Sequence, residues 1–180
     1  MPGWLILTLW IVGGLAVLVV GVGLLLPRPF AISRSIVIAA PPEAIHPFVD
    51  SLREWPRWST FDTADPDIRF EVSEPSAGVG ARRTWKGGRM GEGSQEIVAS
   101  DARTGVSMHL EMTHMDHTFE FVYTAEAGGT RVTWSDRGEF PAAPHWRLLG
   151  TLFIDRMLGE MFEGGLAQLK QVVEKAAAER

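Results

Sequence analysis

HWRLLGTLFIDRMLGEMFEGGLAQLKQVVEK, residues 145–175, is the stretch that decides the fold. Its large apolar residues recur three or four positions apart, which is typical of a helix with one apolar face. They are Trp146, Leu149, Phe153, Met157, Met161, Leu166, Leu169 and Val173. At about 1.5 Å per residue, such a helix spans a small domain from end to end. We predict that it lies across the apolar face of a sheet.

Seven segments upstream alternate apolar and polar side chains, as half-buried strands do. The predicted strands are Ala31–Ala39, Ile68–Ser73, Ala81–Lys86, Gly91–Ser100, Gly105–Met115, Thr118–Ala127 and Thr130–Phe140. Gly128-Gly129 between two alternating runs indicates a hairpin. Residues 42–58 read as two short helices, interrupted at Pro47 and Pro56. Because most strands follow one another directly, the order predicts an α+β fold with an antiparallel sheet.

The amino-terminal run GWLILTLWIVGGLAVLVVGVGLLL, residues 3–26, contains no charged side chain. It exceeds the ~20 residues needed to cross a bilayer, and Trp4 and Trp10 suit the headgroup zone. A cleaved signal peptide would have a charged start, a shorter apolar run and a small-residue cleavage site. A buried soluble helix is disfavoured because nothing polar interrupts the run. We predict an anchor and short linker over residues 1–29 and a folded domain over residues 30–180.

The charged residues outside the apolar run limit which compartment and which partners the sequence predicts. Arg28 and Arg34 follow the run, so the positive-inside rule predicts a single-pass membrane protein with a cytoplasmic domain. A net charge of -5 without a basic run disfavours nucleic acid as a partner. The absence of cysteine excludes disulfides, thiolate metal ligands and cysteine nucleophiles. The sequence leaves the oligomeric state open.

Five stretches carry a resemblance to a known superfamily. They are RSIVIAAPPEAIHPFVDSLREWPRWSTF (34–61), GVGARRTWKG (78–87), GEGSQEI (91–97), GGTRVTWSDRGEF (128–140) and MFEGGLAQLK (161–170). In this order and spacing the chain resembles the START-like superfamily, also called SRPBCC or helix-grip proteins. It looks closest to the polyketide cyclase/dehydrase-like branch, which often carries an amino-terminal membrane helix. The resemblance extends from about residue 32 to residue 174.

This resemblance implies a fold and a class of ligands. The expected fold is a curved seven-stranded antiparallel sheet around the long carboxyl-terminal helix, with an apolar cavity between them. Members bind lipids, sterols, polyketides or other apolar compounds, and only some are enzymes. The resemblance therefore favours a hydrophobic small molecule or lipid as the partner of this chain.

Candidate ligand-binding residues come from the strands and the last helix. Large aromatics alternate along the predicted strands, and methionine and phenylalanine in the helix suit a cavity wall. The candidates are Trp85, Gln95, Phe119, Phe121, Tyr123, Trp134, Asp136, Phe153, Met157 and Met161. The alternative is that these aromatics fill a dry core. Trp55 and Trp58 are expected to pin the short helices to the sheet rather than contact a ligand.

Metal and cofactor chemistry finds little support in the sequence. His109 and Glu111 share one strand face, His114 falls on the other by side-chain alternation, and His117 is expected in a turn. We therefore expect no metal site. No G-x-G-x-x-G opens a helix and no serine lies in a nucleophile elbow, so no dinucleotide cofactor and no serine nucleophile are expected.

Three functions remain in view. The favoured one is a membrane-tethered module that binds an apolar small molecule or lipid. The second is a cyclase or dehydratase in which Asp136, Glu120 or a histidine such as His109 acts on an enolisable ketone as general acid or base. No catalytic residue is assigned, because the sequence offers no fixed acid–base pair. The third is a partner-interaction domain with a closed cavity, as in the chaperone-ATPase-activator-like relatives of the superfamily.

Overall fold

A computed structural model describes residues 2–65, 67–87, 91–112 and 115–179. Over these residues the chain forms an α+β fold with a seven-stranded antiparallel sheet, which confirms the predicted class. The helices are α1 Gly3–Leu25, α2 Pro42–Asp50, α3 Phe61–Ala64 and α4 Pro144–Ala178, with a 3-10 turn at Trp55–Arg57. The strands are β1 Pro29–Ile38, β2 Arg69–Val72, β3 Arg82–Gly87, β4 Gly91–Asp101, β5 Gly105–Met112, β6 Met115–Glu126 and β7 Gly129–Glu139.

The sheet has the strand order β1-β7-β6-β5-β4-β3-β2. Strands β2 to β7 pair with their neighbours in sequence, and β1 returns to pair with β7. The predicted turn at Gly128-Gly129 joins β6 to β7, and Gly128 has a φ of 92°, which an L side chain rarely adopts. In β6 the buried residues alternate with outward-facing ones, so one sheet face supplies the interior.

The carboxyl-terminal half of α4 lies across that face and is held at both sides. Phe162, Leu166, Leu169 and Val173 are at most 1% exposed. At the edge of the sheet, Arg34 of β1 donates from Nε to Glu163 Oε1 at 2.7 Å and pairs with Asp155 at 3.2 Å. A Cβ at Gly159 would overlap the Arg34 guanidinium, so this glycine lets the cation reach the helix. The predicted helix across the sheet is therefore confirmed for this half.

The amino-terminal half of α4 departs from the prediction of one continuous buried stripe. Trp146, Leu149, Phe153 and Met157 are 47–59% exposed. Trp146, Leu149 and Phe153 lie on the side of the helix roughly opposite to the buried residues of the other half, so they point away from the sheet. Helix α1 contacts α4 here, and Gly23 packs against the backbone of Pro144. The interior stripe thus begins only at the residues around Met161.

Helix α2 corrects a second prediction. The helix runs through Pro47 and ends at Asp50, so the predicted interruption at Pro47 is wrong. A proline inside a helix removes the hydrogen bond to the carbonyl four residues earlier, here that of Glu43. Both residues are solvent-exposed, so water can satisfy that carbonyl. The helix ends instead where Leu52 turns toward the core and donates its N–H to the carbonyl of Ser76 at 2.9 Å.

Aromatic side chains fill one end of the interior. Trp134 stacks on Phe162 with ring centroids 4.2 Å apart and on Phe121 at 4.8 Å. Trp55 and Trp58 pack edge-on against Trp134 and donate their indole N–H groups to the carbonyls of Val49 and Phe48. The predicted role of Trp55 and Trp58 in pinning the short helices to the sheet is confirmed. Such aromatic contacts contribute roughly 0.5–1.5 kcal/mol each beyond area burial.

Candidate ligand-binding cavity

A cavity of about 440 Å³ lies between the sheet and α4, beside the aromatic cluster. Its wall is largely apolar, with a few polar side chains, which is the composition of small-molecule sites. The lining residues are Phe61, Phe70, Arg83, Trp85, Gln95, Leu110, Met112, Met115, His117, Phe119, Asp136, Ile154, Met157, Leu158 and Met161. Six strands, β2 to β7, together with α3 and α4, thus contribute to the wall of one hollow.

The structure divides the ten predicted site residues into three groups. Six of the ten line the cavity, namely Trp85, Gln95, Phe119, Asp136, Met157 and Met161. Phe121, Tyr123 and Trp134 are buried in the packed core outside the cavity. Phe153 is 59% exposed on the outer side of α4. The two alternatives weighed from the sequence, a hollow and a dry core, both occur in different parts of the same interior.

Four polar residues of the wall fall into two pairs on the strands. Arg83 on β3 faces Gln95 on β4, Gln95 faces Leu110 on β5, and Leu110 faces His117 on β6. The four polar residues Arg83, Gln95, His117 and Asp136 are at most 7% exposed. Three strand spacings of about 4.8 Å separate the ends of this row by about 14 Å. The cavity therefore has one polar pair at each end, Arg83–Gln95 and His117–Asp136, with Leu110 between them.

Arg83, from the first polar pair, also forms a buried ion pair with Asp62, which the sequence analysis did not predict. Arg83 donates from one terminal nitrogen to both carboxylate oxygens of Asp62 at 2.9 and 3.1 Å, and from the other to Gln95 at 3.3 Å. Its guanidinium also lies over the rings of Phe70 and Trp55. Burial lowers the pKa of Arg83, and Asp62 opposes that change. The alternation in ARRTWKG, with Arg83 in phase with Trp85, is the signal that places Arg83 inward.

The second pair places a histidine against a carboxylate inside the cavity. His117 Nδ1 lies 3.1 and 3.2 Å from the two oxygens of Asp136, which is 1% exposed. A carboxylate only accepts, so Nδ1 carries the proton in this bond and the tautomer is set. Nε2 of His117 is buried and has no hydrogen-bond partner among the described residues. The prediction that His117 lies in a turn is wrong, because β6 begins at Met115.

Two further unpartnered donors belong to the cavity wall. Arg83 Nε and Trp85 Nε1 are buried without a hydrogen-bond partner in the part of the chain that the structure describes. Leaving such a group unsatisfied costs roughly 1–3 kcal/mol. A ligand with a hydrogen-bonding atom at the right place would recover this cost, and native proteins leave few such groups.

The remaining chemical candidates lie away from the cavity. His109 and Glu111 are exposed on the outer face of β5, and Glu120 faces outward beside Arg137. His114 lies outside the described residues. No cluster of metal-ligating side chains occurs among the described residues. An open surface depression of about 590 Å³ near Phe30, Asp116 and Arg137 is shallow and lined partly by charges, so it does not suit an apolar molecule.

These features define the helix-grip class, in which an antiparallel sheet holds a long carboxyl-terminal helix. Residues 29–174 match the family described as polyketide cyclase / dehydrase and lipid transport, and the chain belongs to this family. A search of curated proteins finds no match.

Solved structures share the fold at low identity. One domain of the di-domain ARO/CYC StfQ from the steffimycin biosynthetic pathway has a TM-score of 0.66 at 12% identity, covering 84% of this chain and 52% of that one. The di-domain ARO/CYC BexL from the BE-7585A biosynthetic pathway has a TM-score of 0.61 at 18% identity, covering 80% and 50%. The protein SA2116 of unknown function from Staphylococcus aureus has a TM-score of 0.63 at 13% identity, covering 84% and 98%.

Proposed function

We propose that this protein is a membrane-anchored binding module for a hydrophobic small molecule or lipid. The observation that carries the proposal is the 440 Å³ cavity, whose wall is mostly Phe, Leu, Ile and Met side chains. The family description, which includes lipid transport, agrees with such a ligand. Methionines on α4 add adaptability, because their side chains repack around guests of different shape.

The polar pairs constrain the ligand further. An unpartnered acceptor-capable nitrogen at His117 and unpartnered donors at Arg83 and Trp85 favour an apolar molecule with oxygen functions near its two ends. Asp62 already neutralises Arg83, so a neutral carbonyl or hydroxyl fits that end better than a second carboxylate. The ligand we propose is therefore elongated, mostly hydrocarbon and oxygenated.

Helix α1 supplies the proposed membrane anchor. It has 23 residues, none of them charged, and all of them except Val19 and Gly23 are exposed. Arg28 and Arg34 after the span support a cytoplasmic domain. The intact mass of the purified chain distinguishes an anchor from a cleaved signal sequence. Because the chain has no cysteine, Gln171→Cys labelled by an impermeant maleimide in sealed vesicles reports the orientation.

Native mass spectrometry of the full chain, released from detergent micelles, tests ligand binding. We expect a discrete apolar adduct or the uptake of an added long-chain methyl ketone. Met161→Trp fills the cavity from α4 and is expected to abolish the adduct. Val98→Trp, on the exposed outer face of β4, is the matched control and should retain it. An adduct that persists unchanged in Met161→Trp contradicts the proposed site.

The length dependence of binding gives a second measure. Each buried methylene contributes roughly 0.8 kcal/mol, so removing two methylenes from an acyl ligand should weaken binding about 15-fold. A cavity of fixed size also predicts a length beyond which affinity stops rising. An affinity that rises indefinitely with length would instead indicate partitioning into detergent or lipid.

A second candidate function is acid–base chemistry on the bound molecule. The specific observation is that Asp136 fixes the proton of His117 on Nδ1 and leaves Nε2 as a buried base on the cavity wall. A positioned imidazole of this kind can remove a proton next to a carbonyl group. Cyclase and dehydrase chemistry, which the family description includes, needs that step.

Deuterium exchange separates catalysis from binding. The full chain is incubated in D₂O with a long-chain methyl ketone, and deuterium next to the carbonyl is measured by mass spectrometry. Catalysis predicts exchange that His117→Gln removes and that His109→Gln, on the outer face of β5, leaves unchanged. If the ketone binds but exchanges deuterium no faster than it does in buffer alone, the protein binds the molecule without catalysing proton transfer.

A further inference from the structure

The first half of α4 carries an exposed apolar surface, of which only Met157 also lines the cavity. We call it the α4 face. It consists of Trp146, Leu149, Leu152, Phe153 and Met157, which are 47–62% exposed. At about 100° per residue they occupy about 140° of the helix circumference. Exposed apolar groups gathered on one side of a helix mark an interaction surface.

The position of the α4 face relative to α1 identifies its partner. Gly23, near the carboxyl end of α1, packs against the backbone of Pro144 in the first turn of α4. A Cβ at Gly23 would overlap the Pro144 carbonyl, so the two backbones approach closely. If α1 spans a bilayer, its end and the first turn of α4 lie at the same membrane surface. The α4 face then begins where the bilayer begins.

The sequence of α4 matches this placement. From Trp146 to Ile154 the only charged side chain is Arg147, and an indole at the start of the face suits the headgroup zone. The outward side becomes charged at Arg156, which pairs with Glu160 one turn later at 3.1 Å. An apolar outer side near the anchor and a charged outer side farther away are what a helix leaving a bilayer surface requires.

We propose that the α4 face lies in the lipid bilayer and that the cavity opens toward it. Met157 belongs both to the face and to the cavity wall, and Ile154 and Leu158 on the same turns line the cavity. A molecule dissolved in the membrane would reach the cavity past Met157 without crossing water. The proposal rests on the proposed membrane anchor and adds where its ligand comes from.

Spin labels on single cysteines test the placement in the full chain reconstituted into phosphatidylcholine–phosphatidylglycerol vesicles. Leu152→Cys reports the α4 face and Val17→Cys the middle of α1. Gln171→Cys lies on the same side of α4 about five turns later. We expect lipid-like exposure, with high oxygen and low nickel-chelate accessibility, at residues 152 and 17 and aqueous exposure at residue 171.

Any other pattern of label exposure overturns either the placement of the α4 face or the membrane anchor. An aqueous label at residue 152 with a lipid-like label at residue 17 overturns this inference and leaves the anchor intact. Dipolar broadening at residue 152 shows a second copy of the chain on the face and also overturns it. An aqueous label at residue 17 overturns the anchor itself, and the inference with it.

Ligand uptake tests the opening. The probe is the neutral 12-bromododecan-1-ol, whose bromine isotope doublet identifies it when it is released from the protein in the mass spectrometer. Leu152→Glu places a charge on the α4 face, and Ala167→Glu places one on the same side of the helix beyond it. We expect Leu152→Glu to take up the probe from vesicles about tenfold more slowly, and from aqueous cyclodextrin at the parent rate. Equal rates from vesicles for both variants refute the bilayer-facing opening.

Discussion

Replacing His117 by leucine leaves the carboxylate of Asp136 buried without its hydrogen-bond partner. Asp136 is 1% exposed, and the His117 ring supplies the hydrogen bond at 3.1–3.2 Å. Removing the hydrogen-bond partner of a buried carboxylate costs roughly 3–5 kcal/mol, because the charge is left uncompensated. For a chain of this size, 1 kcal/mol corresponds to about 2–4 °C, so the melting temperature should fall by about 6–20 °C.

A double-mutant cycle isolates the pair from the lost packing of the imidazole. Asp136→Leu alone leaves His117 Nδ1 unsatisfied and should cost about 1–3 kcal/mol in addition to any misfit. His117→Leu with Asp136→Leu replaces both polar groups by apolar ones, which is often close to neutral for buried pairs. The double variant should therefore be more stable than His117→Leu alone. Tryptophan fluorescence of the full chain in detergent micelles follows the unfolding.

The control is His109→Leu, the same substitution on the exposed outer face of the neighbouring strand. It should change stability by about 0.5 kcal/mol or less. Two results would refute the reasoning: a loss below about 1 kcal/mol for His117→Leu, or strictly additive losses in the cycle. Either would mean that the imidazole and the carboxylate do not act as a unit, and the assignment of Nε2 as a free base would lose its basis.

Three further predictions use other parts of the interior. Burial raises the pKa of Tyr123 above its ordinary value of 10.0, so the folded chain keeps the phenol proton where the unfolded chain loses it. The free energy of unfolding should therefore fall as pH rises above 10, by up to about 1.4 kcal/mol per pH unit, and Tyr123→Phe should remove this slope. Because the chain has one tyrosine, tyrosinate absorbance reports the ionisation of Tyr123 directly. Arg83→Met should cost about 3–5 kcal/mol in melts by leaving Asp62 buried and unpaired, and adding Asp62→Leu should recover most of the loss. Gly93→Ala places a Cβ on the indole of Trp85, so it should cost about 1–3 kcal/mol and weaken binding of a long-chain methyl ketone measured by native mass spectrometry.

The sheet and its long helix follow from periodicity, and this part of the structure was predictable. Every predicted strand overlaps an observed one, because residues such as Phe119 and Phe121 alternate with outward polar side chains. The same periodicity places Trp85 and Gln95 on the inner face. Alternation tells which side of a strand is buried, and it carries no information on whether the space opposite is filled.

The division between packed core and cavity depends on contacts that are distant in sequence. Trp134 was as good a cavity candidate as Phe119 by its strand position. It packs instead because Phe162 from α4 and Trp58 from the segment after α2 converge on its indole. No local pattern fixes that convergence. The His117–Asp136 pair was missed because β6 begins at Met115, three residues before the predicted start at Thr118, which places His117 on the inner face of the strand.

The direction in which each apolar residue of α4 points explains both the exposed face and the hollow. At about 100° per residue, Trp146, Leu149 and Phe153 lie on the side of the helix roughly opposite to Phe162, Leu166 and Leu169, which are buried against the sheet. The residues Ile154, Leu158 and Met161 point between these two directions, and they line the cavity. The spacing of three or four residues that looks like one stripe in the sequence therefore shifts from the outer side of the helix to the inner side. The hollow lies along the part of α4 where that shift takes place.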